Sequence, residues 1–315
     1  MRAARWVATA LLVGLLIRLI DLHALSSSFK ELDPRLVAML AALTVAMSIT
    51  QSMRLYTIVR AAVHGEPGPR PLLRRSVLGD QLVGVAGNSI LPSTIGGDVV
   101  RAVLAGGYLA GNEPRARAAG LILIDRVIGL VALGFIPLVG SLAWGRPPPG
   151  GVTAIVGLLV ALFVGAWQLP RILGWFARWT SKRWPRVAGF ADGMRLGFDD
   201  VAPRARCIAL VWSIAYQLCV LGFFELIGAY WNDGWRLHQA VWIGIPTAMV
   251  LSVVPVSIGG LGWRESLFVG AFVWAGLPQE HGLVMSVLWA ASGLAQALAG
   301  AVVHVRRQLR RERPT

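Results

Sequence analysis

Two stretches of this chain carry the same uncommon set of residues in register. Ser89 to Arg101 reads S-I-L-P-S-T-I-G-G-D-V-V-R, and Ser252 to Arg264 reads S-V-V-P-V-S-I-G-G-L-G-W-R. At a constant offset of 163 residues, Ser89, Pro92, Ile95, Gly96, Gly97 and Arg101 fall on Ser252, Pro255, Ile258, Gly259, Gly260 and Arg264. Proline removes a backbone donor and restricts the residue before it, and paired glycines hold a helix poorly, so each stretch predicts an interruption. Thr94 and Ser257 are placed to cap a helix that restarts at the glycines. The free N–H groups of such a restart, with an arginine about a turn further in, match the chemistry of an oxyanion, above all a phosphate. A plainer reading is that Pro and Gly-Gly only let helices pack closely. An arginine in an apolar region of both copies weighs against it, because charge at membrane depth is costly and usually functional.

Other charges stand near the motifs. Asp98 lies three residues before Arg101, a spacing that allows an ion pair on one helix face, and Glu265 follows Arg264. Asp125 and Arg126 come early in a long apolar run, where snorkelling to an interface competes with a buried role. Glu225 is late in another run with no partner close in sequence, and Asp80 lies near Gln81 and Asn88. The candidate substrate-binding residues are therefore Pro92, Thr94, Gly96, Gly97, Asp98, Arg101, Ser257, Gly259, Gly260, Gly262, Arg264 and Glu265. Asp80, Asp125, Arg126 and Glu225 are candidate coupling or supporting groups.

The elements that must position these residues follow from composition. Of 315 residues, 56% are hydrophobic and 15% charged, with mean hydropathy +0.63. Soluble proteins carry about 25% charge, so a soluble enzyme is excluded in favour of an all-α polytopic membrane protein. Six stretches are long enough to cross: Trp6 to Leu25, Leu36 to Val59, Ala118 to Trp144, Gly151 to Leu169, Ile208 to Tyr230 and His281 to Val305. Two glycine-broken regions lie between them, Leu72 to Gly111 and Gln239 to Leu277, each expected to be a re-entrant hairpin or a pair of spans. The net charge is +14, and all basic residues but Lys30 and Lys182 are arginine. They gather in alternate connections, which predicts that both termini are cytoplasmic; the expected location is an inner (plasma) membrane of bacterial type. In a soluble chain this excess would indicate nucleic acid; here it indicates anionic lipid. The run from Pro170 to Arg206, rich in Trp and Arg, reads as a cytoplasmic interfacial link.

Residues 1–315 thus form one integral membrane domain, with halves at 1–144 and 151–305 and the link at 170–206. Three full crossings per half invert the second half relative to the first, the inverted repeat of many secondary transporters. Cys207 and Cys219 are too far apart on a helix to pair. The five histidines are scattered, and no P-loop, G-x-S-x-G or H-E-x-x-H motif occurs. No catalytic residue, metal or cofactor is therefore expected.

The motifs resemble the transmembrane region of the lysylphosphatidylglycerol synthetase/flippase family and its stand-alone flippase-like relatives. Pro92, Gly97, Asp98 and Arg101, followed by Asp125 and Arg126, look like the family's first motif, with aspartate where glutamate is commoner. Pro255, Gly259, Gly260, Gly262 and Glu265 look like its later motif. With no soluble aminoacyltransferase domain before Thr315, the resemblance implies movement of a lipid or lipid-linked head group between leaflets rather than lipid lysinylation. The expected partners are membrane lipids, anionic ones above all, with a lipid-synthesis enzyme as a further candidate. The competing reading is a membrane-embedded glycosyl or phosphoryl transferase using Asp80, Asp98 and Glu265, or an accessory subunit of one.

Overall fold

A computed structural model describes residues 33–63, 68–90, 96–111, 113–231, 234–253 and 262–311. The expected span Trp6 to Leu25 lies outside them, as do Pro92, Thr94, Ser257, Gly259 and Gly260. The elements among the described residues are helices. They are α1 (Pro34–Ala62), α2 (Arg74–Ile90), α3 (Gly96–Gly106), α4 (Pro114–Trp144), α5 (Val152–Thr180), α6 (Pro185–Asp199) and α7 (Pro203–Gly228). Next comes α8, made of Trp235–Gln239, a π-helical turn Ala240–Gly244 and Ile245–Leu251, then α9 (Trp263–Ala275) and α10 (Gln279–Arg311). Four helices begin on proline, whose missing N–H costs nothing in a first turn. Asp33 adds a side-chain cap to α1 by accepting the Arg35 N–H at 2.8 Å.

Helices α1, α4, α7 and α10 are long and apolar enough to cross a membrane, and the chain is an integral membrane protein. The expected span Gly151 to Leu169 is part of a longer helix: α5 runs on through Pro170 to Thr180. A proline removes one hydrogen bond without ending a helix of this kind.

Helices α1 and α7 lie side by side in opposite directions, and an apolar core fills each end of the pair. At one end Leu55, Ile58 and Val59 of α1 pack with Ala102 and Ala105 of α3, Leu121 and Ile124 of α4, and Ala209 of α7. At the other, Leu36 and Leu40 pack with Phe224 and Ile227 of α7, Val241 and Ile245 of α8, and Phe268 and Phe272 of α9. The α2–α3 pair thus belongs to one end of the bundle and α8–α9 to the other. The second arms are short. At 1.5 Å per residue, the 11 residues of α3 and 13 of α9 reach about 16 and 20 Å, too little for a hydrocarbon core of about 30 Å.

First arms pack on the long helix of the other half, α2 on α10 and α8 on α4; second arms pack on the long helix of their own half, α3 on α4 and α9 on α10. Glycine permits the closest of these approaches. A Cβ on Gly300 would sit 2.0 Å from the Leu82 carbonyl oxygen, whereas one on Gly293 of the same helix would meet nothing within 4 Å. Gly300→Ala should therefore cost about 1–3 kcal/mol, as overpacking does, and Gly293→Ala almost nothing. Thermal unfolding of the two variants in one detergent checks this, and equal melting temperatures would contradict the close α2–α10 crossing.

Candidate functional site

The buried charge gathers where α1, α3, α4 and α7 meet. Arg54 of α1 grips Asp125 of α4 through two parallel hydrogen bonds, Nε to Oδ1 at 2.6 Å and Nη2 to Oδ2 at 2.7 Å. Its Nη1 donates to Ser213 Oγ of α7 at 3.2 Å. The side chains are 6% and 3% exposed, so Asp125 is buried rather than snorkelled to an interface. Gly129 makes room: a Cβ there would stand 2.8 Å from Arg54 Nη1.

Beside this pair, Asp98 of α3 joins two arginines. It accepts from Arg101 Nη1 at 3.2 Å along its own helix and from Arg126 Nε of α4 at 2.7 Å. Arg101 is buried and lies across α2 at Gly84, where a Cβ would come within 2.5 Å of its Cγ and Nε. Asn88 ties α2 to the start of α3, its Oδ1 accepting the Gly97 N–H at 2.7 Å. Gly97 itself faces the Gly84 carbonyl so closely that a Cβ would sit 2.2 Å from that oxygen. Arg101 is within electrostatic reach of Arg54 and Asp125, and Tyr216 of α7 is within reach of all three guanidiniums. Three arginines and two aspartates leave the group one positive charge in excess. The Arg101 Nε–H and Gln217 Oε1 are buried and make no hydrogen bond among the described residues.

The second motif is built differently. Gly259 and Gly260, where the spacing implied a restart, lie outside the described residues; helix α9 starts at Trp263, with Gly262 at its N-cap in a positive-φ conformation of 76°. Glu265 turns back to accept the Gly262 N–H at 2.7 Å, a capping interaction. Arg264 consequently stands at the second position of α9, whereas Arg101 is more than a turn inside α3. Arg264 pairs with Glu265, which also accepts from Ser286 Oγ of α10 at 3.4 Å. Its Nε, like that of Arg101, is buried and has no partner among the described residues. Arg101 and Arg264 thus belong to separate groups of charges, and side chains of the chain itself already occupy one N–H near each helix start.

The remaining acids anchor elements. Asp80 is buried and held by Tyr108 Oη at 2.7 Å, by Arg70 at 3.4 Å and by Arg307 near the end of α10. Tyr108 lies in the connection after α3; burial first, and then the Asp80 carboxylate, push its phenol well above the ordinary range, so it stays protonated. Glu225 accepts from Trp242 Nε1 at 2.9 Å and is 2.9 Å from His238 Nδ1, and that imidazole stacks on Trp144 with ring centroids 5.1 Å apart. These contacts fasten the π-helical turn of α8 to α7 and α4. Sequence reasoning missed Arg54, Ser213 and Tyr216. Arg54 is an arginine inside the predicted span Leu36 to Val59, and that signal was available.

A family model described as the lysylphosphatidylglycerol synthase TM region matches residues 3–300. The chain belongs to that family. No curated protein and no solved structure matches it. Membership in the lysylphosphatidylglycerol synthase TM region family makes this a lipid-related membrane protein, and the match takes in every charged residue described above except Arg307. It also gives the site a frame: both broken regions and all four long helices fall within the family's extent, save the last turns of α10.

Proposed function

We propose that the protein is a flippase-like lipid transporter, which moves an anionic phospholipid or lipid-linked head group between leaflets, with the phosphate received at the Asp98–Arg101–Arg126 group. The observation that carries this reading is the single excess positive charge of that group and its Arg54–Asp125 neighbour, set between crossing helices, with the Arg101 Nε–H buried and without a partner among the described residues. A buried donor without an acceptor is costly, and a phosphoryl oxygen would satisfy it with a charge-assisted bond. Asp98 draws two guanidiniums, Arg101 and Arg126, to one carboxylate, so a phosphate there would meet both charges.

The packing supports an inverted repeat. Each re-entrant first arm leans on the other half's long helix and each second arm on its own, and the two pairs belong to opposite ends of α1 and α7. In such an arrangement a site near the middle is reached from either leaflet by rocking one half against the other. Arg264 and Glu265 form the corresponding group of the second half. The basic end, with Arg60, Arg74, Arg204 and Arg307, is cytoplasmic in this reading, and so are both termini. Lipid movement needs no cofactor.

The experiment is reconstitution of the full chain into liposomes carrying fluorescent lipid analogues, with an impermeant quencher added outside. Accelerated exchange of phosphatidylglycerol or a polyprenyl phosphate, with phosphatidylcholine left at the protein-free rate, is expected. No acceleration for any anionic lipid across the panel would contradict the proposal.

A further inference from the structure

A second basic feature lies beside the buried group and takes no part in it. Between the ends of α1, α2 and α7 is a groove of about 640 Å³. Arg60, Arg74 and Arg204 line it, one from each helix, and no carboxylate does. All three side chains are exposed, and none makes an ion pair among the described residues. Arg74 lies over the Tyr56 ring at 5.7 Å, which leaves its donors available. The rest of the wall is apolar, with Met53, Ile208 and Trp212 continuing toward the hydrocarbon side.

Orientation alone asks only for positive charge in this connection. It does not require three guanidiniums from three separate helices to converge on one amphipathic cleft free of acids. An occupant that complements both parts has a compact anionic head and apolar chains, and it approaches from within the leaflet. Met53 and Trp212 immediately precede Arg54 and Ser213, which are hydrogen-bonded to each other across α1 and α7. The groove therefore backs onto the buried charge group.

We infer that this groove is a docking site for the phosphate head group of an anionic phospholipid drawn from the leaflet at the basic end, with its chains along Met53, Ile208 and Trp212. The inference rests on the transport reading in naming the face by which substrate arrives, but occupancy is measured without transport.

The test uses the full chain in nanodiscs and two photoreactive lipids with identical chains, one phosphatidylglycerol and one phosphatidylcholine, with adducts mapped to peptides. Phosphatidylglycerol should label segments 53–61 and 202–212, and phosphatidylcholine should label them at background. Replacing Arg60, Arg74 and Arg204 together by glutamine should lower the label about tenfold or more. If that variant does not fold, each single replacement is scored, with a loss of roughly two- to threefold expected. Arg101→Gln should leave the label at the wild-type level. Equal labelling by both lipids, or unchanged labelling without the three arginines, overturns the docking site. Arginine-dependent labelling with no lipid movement in liposomes overturns the transport reading and keeps the groove. Lipid movement with labelling blind to head-group charge overturns the groove alone.

Discussion

Asp125→Ala should lower the stability of the fold by about 3–5 kcal/mol, the usual effect of removing one partner of a buried ion pair. The size follows from what is left behind. Arg54 would keep a guanidinium 6% exposed, with Ser213 Oγ as its one remaining hydrogen-bond partner, among the apolar side chains of α1, α4 and α7. An unpaired buried charge cannot recover its lost hydration from a single hydroxyl. Removing both charges tells the pair's structural role from its net worth. Desolvation offsets most of the attraction in a buried pair, so Arg54→Leu with Asp125→Leu should melt close to wild type, and either single variant far below it. Thermal unfolding of the four proteins in one detergent closes the cycle. Additive effects would show that the two helices do not meet through these side chains.

The second large effect is on lipid movement. Arg101→Gln keeps a side chain able to lie across Gly84 but removes the charge, and with it the excess that would hold a phosphate. Hydrogen bonds to charged groups contribute about 1.5–3 kcal/mol, so transport should fall roughly 10- to 100-fold. The fold should survive, because Arg101 has one ion-pair partner, Asp98, which Arg126 continues to hold at 2.7 Å. Arg126→Gln should act in the same direction and more weakly, since its side chain is 39% exposed and its charge is better screened. Asp98→Asn offers a contrast. It raises the positive excess and removes the carboxylate that Arg101 and Arg126 share, so head-group binding tightens while turnover falls.

Much of this arrangement was legible before any coordinates. Apolar runs located α1, α4, α7 and α10, because a helix that crosses a membrane must be apolar over about 20 residues whatever it packs against. The i,i+3 pairing of Asp98 with Arg101 followed from helical spacing. Contacts between distant segments did not. Arg54 and Asp125 are 71 residues apart, and Arg54 stands six residues before Arg60, at the edge of a basic connection that hides it. Glu225 finds His238 and Trp242 across a turn, and Asp80 finds Arg307 at the far end of the chain. The in-register repeat could not show which side chains would bind near the start of each second arm: Asn88 accepts the Gly97 N–H at α3, and Glu265 accepts the Gly262 N–H at α9.

The account turns on whether Arg101 handles a lipid phosphate. The most direct measurement is the initial rate at which labelled phosphatidylglycerol crosses the bilayer of liposomes holding equal amounts of wild-type and Arg101→Gln protein, with matching melting temperatures confirmed first. The account predicts rapid movement by the wild type and a rate at least about tenfold lower for the variant. Equal rates for the two proteins would contradict it.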